Sequence, residues 1–439
     1  MTTSSLLPKL ATAVALLVAH GAAQDAPRIV ALDPPDFASE LDPSTTTRLT
    51  ITFDRDMDTT GHGVTGDRGL LPAVTATQWI DRRTFRLQVT LEESRIYVLE
   101  LSRAQTFDDQ HGVAAPPCSW RFATRGEALP PGTVDTAVDR LRTALQERYS
   151  RRDSRGVDWQ RVERDHRDEL DACSSGPALT MALLAMLAQG QDVDVELIWG
   201  HSRLATFTPP EPGNFSVRGV QTRLPQLQRV DRVGLMARTE DGIGYLQIET
   251  LALQRRELDR LLQALRSLRD CRAMIVDVRT CHAGDEAAAR RVAAFFVDGE
   301  HTYALHRERD ATADGGFLEP TPHVLRGQEP AEQFSGPVAV LTGHQVRDAG
   351  ELLLMMMKLS RSVVLIGTRS YGSVGAPRPH QLAPGLFVDL PSWVLLRPNG
   401  ATFDGEGIEP TIVVTSTPAQ HLAGDPVLDA ALERLRGKL

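Results

Sequence analysis

The stretch Val338-Ala339-Val340-Leu341-Thr342-Gly343-His344-Gln345-Val346-Arg347-Asp348-Ala349-Gly350-Glu351, followed by an apolar run from Leu352 to Lys358, constrains the fold more than any other. Four consecutive apolar residues ending at a small polar pair read as a buried strand of a parallel sheet, and the Leu/Met run reads as a helix. A strand, tight turn and helix of this kind leaves one side chain at the carboxyl edge of the sheet. The following helix offers unpaired N–H groups and a positive dipole end there, a geometry suited to a developing oxyanion.

The rest of the second half fits around that unit. Gly244–Ile248 is expected as a strand, Leu251–Leu268 as an amphipathic helix, Ala273–Val278 as a buried strand, Asp285–Phe296 as a helix, Ala349–Leu359 as a helix and Val363–Ile366 as a strand. Such alternation builds a largely parallel sheet with right-handed crossovers and a ligand crevice at the carboxyl ends of its strands. Three further motifs occur in order: Ile275-Val276-Asp277-Val278-Arg279, then Gly367 to Pro379 with Tyr371-Gly372-Ser373-Val374, then Pro398-Asn399-Gly400-Ala401-Thr402-Phe403-Asp404-Gly405-Glu406-Gly407-Ile408-Glu409-Pro410. In type, order and spacing these resemble the tail-specific (C-terminal processing) serine peptidases, the family that includes the tricorn core, from about Thr133 to the C-terminus.

The resemblance implies a ClpP/crotonase-like α/β core, a polypeptide substrate or ligand, acyl-enzyme hydrolysis and no cofactor. It also places the site, and there the chain departs from the family. The nucleophilic Ser stands three residues before the Glu of a Gly-Glu pair, which is Asp348 here, with Ala349 next. The general-base His follows an Asp and an apolar residue, which puts Asp194 of Asp192-Val193-Asp194 at that position. The Lys used as base in one branch is matched by Ser373. The glycine-rich oxyanion turn reads Thr280-Cys281-His282-Ala283-Gly284, leaving Ala283, Gly284, Ala349 and Gly350 as the oxyanion or peptide-binding positions. A carboxylate of ordinary pKa near 4 is a poor base for a hydroxyl at neutral pH.

Asp348 has a structural reading too: with Glu351 it has the spacing of a helix capping box, stabilising by ~1 kcal/mol. Alternatively Asp348 and Asp194 face each other as a carboxylate pair. Ser373, His344 and His282 are the candidates for a compensating residue, and His201 for a displaced base. His166 sits on the apolar stripe Trp159, Val162, His166, Leu170 and is expected to be a packed helix residue. The resulting expectation is a peptidase fold with an impaired site that binds peptide; the alternative is an active serine-type endopeptidase with an unrecognised nucleophile. An adhesin whose α/β half is only architectural is the third reading. No PDZ insertion is evident.

Upstream, Leu49, Ile51 and Phe53, then Phe85, Leu87 and Val89, then Tyr97, Leu99 and Leu101 alternate with polar residues. Short strands at this spacing suggest a β-sandwich; Thr52 to Asp58 and Trp120 to Thr124 resemble a bacterial immunoglobulin-like domain, a spacer or binding module. The expected organisation is a signal peptide over 1–23, the sandwich over 27–125, a helical subdomain over 133–190, the peptidase core over 191–420 and a C-terminal helix over 421–439. Lys9, the apolar run Leu10–Ala19 and the small residues Gly21-Ala22-Ala23 mark the signal peptide and hence an extracytoplasmic protein without a membrane-inserted mature segment. A net charge of −9 with no basic stripe argues against nucleic acid. The four cysteines allow three pairings, of which Cys271 with Cys281 is disfavoured by the strand between them. No CxxC or His-rich spacing suggests a metal site.

Overall fold

Alternating burial along the N-terminal strands gives two sheets around one core. The computed structural model describes residues 26–103, 105–211, 213–417, 420–421 and 424–439, so the segment expected as a signal peptide lies outside the described residues. Strands β1 (Ile29–Asp33), β2 (Ala38–Leu41), β3 (Arg48–Phe53), β4 (Val64–Thr65), β5 (Ala73–Trp79), β6 (Thr84–Thr90), β7 (Ile96–Leu101) and β8 (Cys118–Thr124) form two four-stranded sheets, ordered β1-β3-β6-β5 and β2-β8-β7-β4. Leu49, Ile51, Phe53, Phe85, Leu87, Leu99 and Trp120 fill the space between them. This is the expected alternation, since successive side chains on a strand point to opposite faces.

A helical layer follows: α1 (Thr133–Glu147), α2 (Trp159–Asp165), α3 (Arg167–Asp171) and α4 (Gly176–Ala188). The stripe expected as one helix through His166 is broken there, with His166 at φ −103, ψ 7 capping α2 and starting α3. Its Nδ1 lies 2.8 Å from the Val162 carbonyl, so it sits half-buried at a helix end rather than packed along one helix face. Helices α1 and α4 pack on the sheet β10-β9-β20-β19, built from β9 (Glu196–Trp199), β10 (Ser202–Ala205), β19 (Pro377–Ala383) and β20 (Leu386–Pro391). Ile96 and Ala123 of the sandwich join this core, and Arg121 donates to the Thr206 carbonyl at 3.0 Å.

The central sheet runs β11-β12-β13-β14-β17-β18-β22, comprising β11 (Gln228–Val230), β12 (Gly234–Arg238), β13 (Ile243–Gln247), β14 (Ala273–Asp277), β17 (Val338–Thr342), β18 (Val363–Gly367) and β22 (Ile412–Val413). From β13 to β22 every pairing is parallel, while β11 and β12 are antiparallel. Strands β14 and β17 are buried along their whole length because helices cover both faces. Helices α6 (Arg255–Ser267), α7 (Glu286–Ala293) and α8 (Ala349–Met357) pack on one face, and α5 (Val217–Arg223) with α9 (Pro426–Arg436) on the other. Helix α6 begins four residues later than its apolar pattern suggests, where Gln254 and Glu257 form a capping box. A three-stranded sheet of β15 (Glu300–Glu308), β16 (Thr321–Arg326) and β21 (Trp393–Leu396) stands beside the carboxyl ends. All four cysteines are free.

Candidate functional site

A cleft of about 880 Å³ opens at the carboxyl ends of β14 and β17, lined by Gly284, Asp285, Asp348, Leu352, Gly375 to Pro377, His306, His323 and Trp393. Asp348 sits in it at the turn between β17 and α8, with φ 49 and ψ −123. A non-glycine residue in this region is strained by roughly 1–3 kcal/mol. The strain is held by fixed neighbours: the Asp348 N–H donates to the Ser373 carbonyl at 2.9 Å.

The capping-box reading of Asp348 is not what the structure shows. The Asp348 side chain makes no cap bond to α8; its Oδ2 instead accepts from the Gly284 N–H at 3.2 Å. Glu351, the other half of the expected box, is fully buried and turned away, accepting from the Ser370 hydroxyl (2.5 Å), the Gly372 N–H (2.6 Å) and the Ser373 N–H (2.8 Å). The positive φ of Asp348 explains the failure, because a capping residue needs extended backbone to fold its side chain over the helix end.

Gly284 reaches this position through a close backbone approach. At φ +148, it bridges Leu251, and a Cβ there would lie 2.3 Å from the Leu251 carbonyl carbon. Only glycine fits. Of the other expected oxyanion positions, the Gly350 N–H is taken by the Arg347 carbonyl at 3.0 Å, while Ala283 gives its carbonyl to Leu251 N–H. Ala349 is fully buried at the start of α8.

Asp194 is brought to the same region and is heavily partnered. It accepts a hydrogen bond from the Ser373 hydroxyl and pairs with Arg151 Nη1 at 2.7 Å. Ser373 therefore stands between the two aspartates, its hydroxyl on Asp194 and its carbonyl on the Asp348 N–H. Arg151, which the sequence did not single out, is fully buried and also contacts Asp192 Oδ1 (2.7 Å) and Asp404 Oδ1 (2.9 Å). Tyr149 donates to Asp192 at 2.7 Å. His282 is exposed with its Nδ1 on the Thr280 carbonyl, His344 is exposed, and His201 is exposed in the β9–β10 turn; none joins the aspartates.

Burial, with the nearby charge of Asp194, pushes the Asp348 carboxyl up to about 6. Burial pushes Glu351 up to about 7 despite its three donors. Asp192 goes the other way: burial would raise it, but Arg151 and Arg155 outweigh that and hold it low. The site is thus a guanidinium-bound carboxylate cluster beside two carboxyls that release protons reluctantly. Among the described residues, no group of His, Cys, Asp or Glu has the arrangement of a metal site.

A doubly covered, mainly parallel sheet with a cleft at the carboxyl ends of its strands defines an α/β protein whose ligand site lies at those strand ends. Residues 242–414 match the family model of peptidase family S41, and this part of the chain is an S41 peptidase domain, as its four motifs indicated. No curated protein matches the sequence. Among solved structures, the chain is similar to a putative peptidase from Parabacteroides merdae ATCC 43184 (22% identity, TM-score 0.60, covering 69% of this chain and 96% of that one). It is also similar to mature CPAF (12%, 0.49, covering 69% and 96%) and to a lipoprotein from Streptococcus agalactiae (14%, 0.48, covering 71% and 98%). The first of these likenesses is one of fold. No helix among the described residues is long and apolar enough to cross a membrane.

Proposed function

We propose that this is an extracytoplasmic protein of the S41 peptidase fold that has lost serine-type acyl transfer and uses its cleft to hold an extended polypeptide. Asp348 takes the nucleophile position, Asp194 the base position, and the N-terminal sandwich acts as an immunoglobulin-like spacer or binding module. One observation carries the reading: the Asp348 carboxylate accepts the Gly284 N–H. A carboxylate oxygen there occupies the donor that a tetrahedral oxyanion would need, and its negative charge repels one. Ser373 cannot replace the missing nucleophile, because it is fully buried and its hydroxyl is spent on Asp194. Asp194 in turn is committed to Arg151.

The test uses the purified full chain with a serine-directed fluorophosphonate probe and, separately, a diverse unstructured peptide library for binding. The expected result is no covalent adduct together with retention of a subset of peptides. A stoichiometric adduct on any serine would overturn the loss of acyl transfer, and failure to retain any peptide would overturn the binding role.

A further inference from the structure

The cleft wall contains a second set of titratable groups that the S41 motifs do not include. Glu286, in the first turn of α7, accepts on Oε1 from the Tyr303 hydroxyl, from Arg290 Nη2 at 2.5 Å and from His323 Nδ1 at 2.6 Å. His323 Nε2 meets His306 Nδ1 at 2.7 Å. The two imidazoles stand edge to face, with centroids 4.7 Å apart, and the Trp393 ring lies 5.6 Å from His306 and 5.9 Å from His323. His306, His323, Glu286 and Asp348 line the same cleft.

For neutral rings, the hydrogen bonds fix the tautomers. An ionised carboxylate only accepts, so His323 presents an N–H at Nδ1 and, in its neutral form, a lone pair at Nε2. His306 then donates from Nδ1, which leaves its Nε2 lone pair without a protein partner among the described residues. Burial would raise Glu286, but the hydrogen bonds from His323 and Tyr303 outweigh it and bring the carboxyl to about 2, so the chain stays anchored on a charge. A base held by a second group that is itself held by a carboxylate is the arrangement general-base catalysis requires.

We propose that His306 is a general base, oriented by His323 and Glu286, and that the cleft hydrolyses a bound peptide or ester carbonyl by direct attack of water, with no covalent intermediate. The proposal rests on the reading that the cleft binds polypeptide. His306 Nε2 removes a proton from water as the water oxygen bonds to the carbonyl carbon. The carbonyl π pair moves onto its oxygen. The tetrahedral species then expels the amine or alcohol, which receives the proton from His306. The carbonyl reforms as the leaving group departs, and the products are a carboxylic acid and an amine or alcohol. Nothing is oxidised or reduced.

The groups facing His306 set its response to pH. Burial and His323 favour the neutral ring, whereas Glu308 and Glu286 favour the cation; Arg290 and Tyr303 act through Glu286, and Arg378 through Glu308. Peptide-library cleavage by the full chain, read by mass spectrometry from pH 5 to 9 beside direct peptide binding, tests the proposal. Cleavage is expected in the wild type, reduced by roughly 10²–10⁴-fold in His306→Gln with binding intact. In Glu286→Gln the expected signature is a lower kcat at unchanged KM and an acid limb moved to lower pH, since the lost carboxylate no longer supports the imidazolium; Glu286→Asp restores part of the rate. Cleavage unaffected by His306→Gln, or binding without cleavage at any pH, would overturn the inference while leaving the binding role in place. Neither binding nor cleavage would overturn both.

Discussion

Asp348 combines a strained backbone with an anchored, largely buried carboxyl. The backbone there keeps a conformation that costs energy, and the side chain is an acceptor for the Gly284 N–H. Its raised pKa makes it a stability determinant with a definite sign. Below about pH 4 both the folded and the unfolded chain hold the proton, so the group is neutral to stability; between about 4 and 6 the unfolded chain ionises first, and stability falls. From about 6 upward the penalty is constant, roughly 3 kcal/mol for a shift of this size. Asp348→Asn keeps an acceptor for Gly284 but cannot ionise. It should raise the unfolding midpoint by several degrees at pH 7.5, at roughly 2–4 °C per kcal/mol, and leave it unchanged at pH 4, as calorimetry at the two pH values would show. An equal rise at both would mean that the gain comes from the backbone, since asparagine tolerates positive φ. Residue types alone could not have given this arrangement. The spacing Asp348 to Glu351 is that of a capping box, and only the dihedrals show that neither side chain caps.

Elements were legible where periodicity was strong. The parallel strands from Gly244 to Ile366 and helices α7 and α8 fall within a few residues of their patterns, because a strand buried on both faces leaves a continuous apolar run and a helix packed on a sheet leaves a period-3.6 mark in sequence. The break at His166 and the late start of α6 were not legible: both depend on local hydrogen bonds that an apolar stripe does not encode. The turn from Ser370 to Ser373 is held to α8 by Glu351, which accepts three hydrogen bonds in a fully buried site. Glu351→Leu should therefore strand three donors and destabilise by several kcal/mol, at roughly 1–3 kcal/mol per unsatisfied group. Glu351→Gln, which keeps an acceptor oxygen, should lose much less and gain relative to wild type as pH rises from about 4.5 to about 7, where the unfolded carboxyl ionises first, and keep that gain above 7. Chemical denaturation at pH 6 and pH 8.5 separates these cases; equal loss in both variants would show that the turn needs the charge. Gly284→Ala would act on the neighbouring element, forcing the Thr280–Gly284 turn off Leu251. We expect a loss of roughly 2–4 kcal/mol, with hydrogen exchange at Leu251 and Asp285 accelerated before the rest of the sheet.

Across the whole molecule, the least legible feature is the one that ties its parts together. Arg151 lies in the irregular segment after α1, within an arginine-rich run that has no period to read, and its partners are 41, 43 and 253 residues away at Asp192, Asp194 and Asp404. The same dispersal hid the Glu286, His323 and His306 chain, whose members come from a helix and two strands. Arg151 joins the helical layer, the segment before β9 and the loop before β22 through one buried cation. A buried ion pair adds little beyond what well-packed apolar residues would give, yet removing one partner is costly because the others are left charged in a dry site. Arg151→Met should therefore cost roughly 3–5 kcal/mol at pH 7.5. The pH dependence should also invert. In the wild type, Asp192 has a lowered folded pKa, so its contribution is present above the unfolded value near 3.9 and is lost on acidification through the folded value. Without the guanidinium, burial dominates and the folded pKa rises, so the variant regains stability as pH falls from 7 toward 5. Guanidinium unfolding curves at pH 7.5 and 5 measure the difference. A variant that loses the same amount at both would show that Arg151 acts by filling space, and the three carboxylates would then have to be neutral or hydrated in the folded chain.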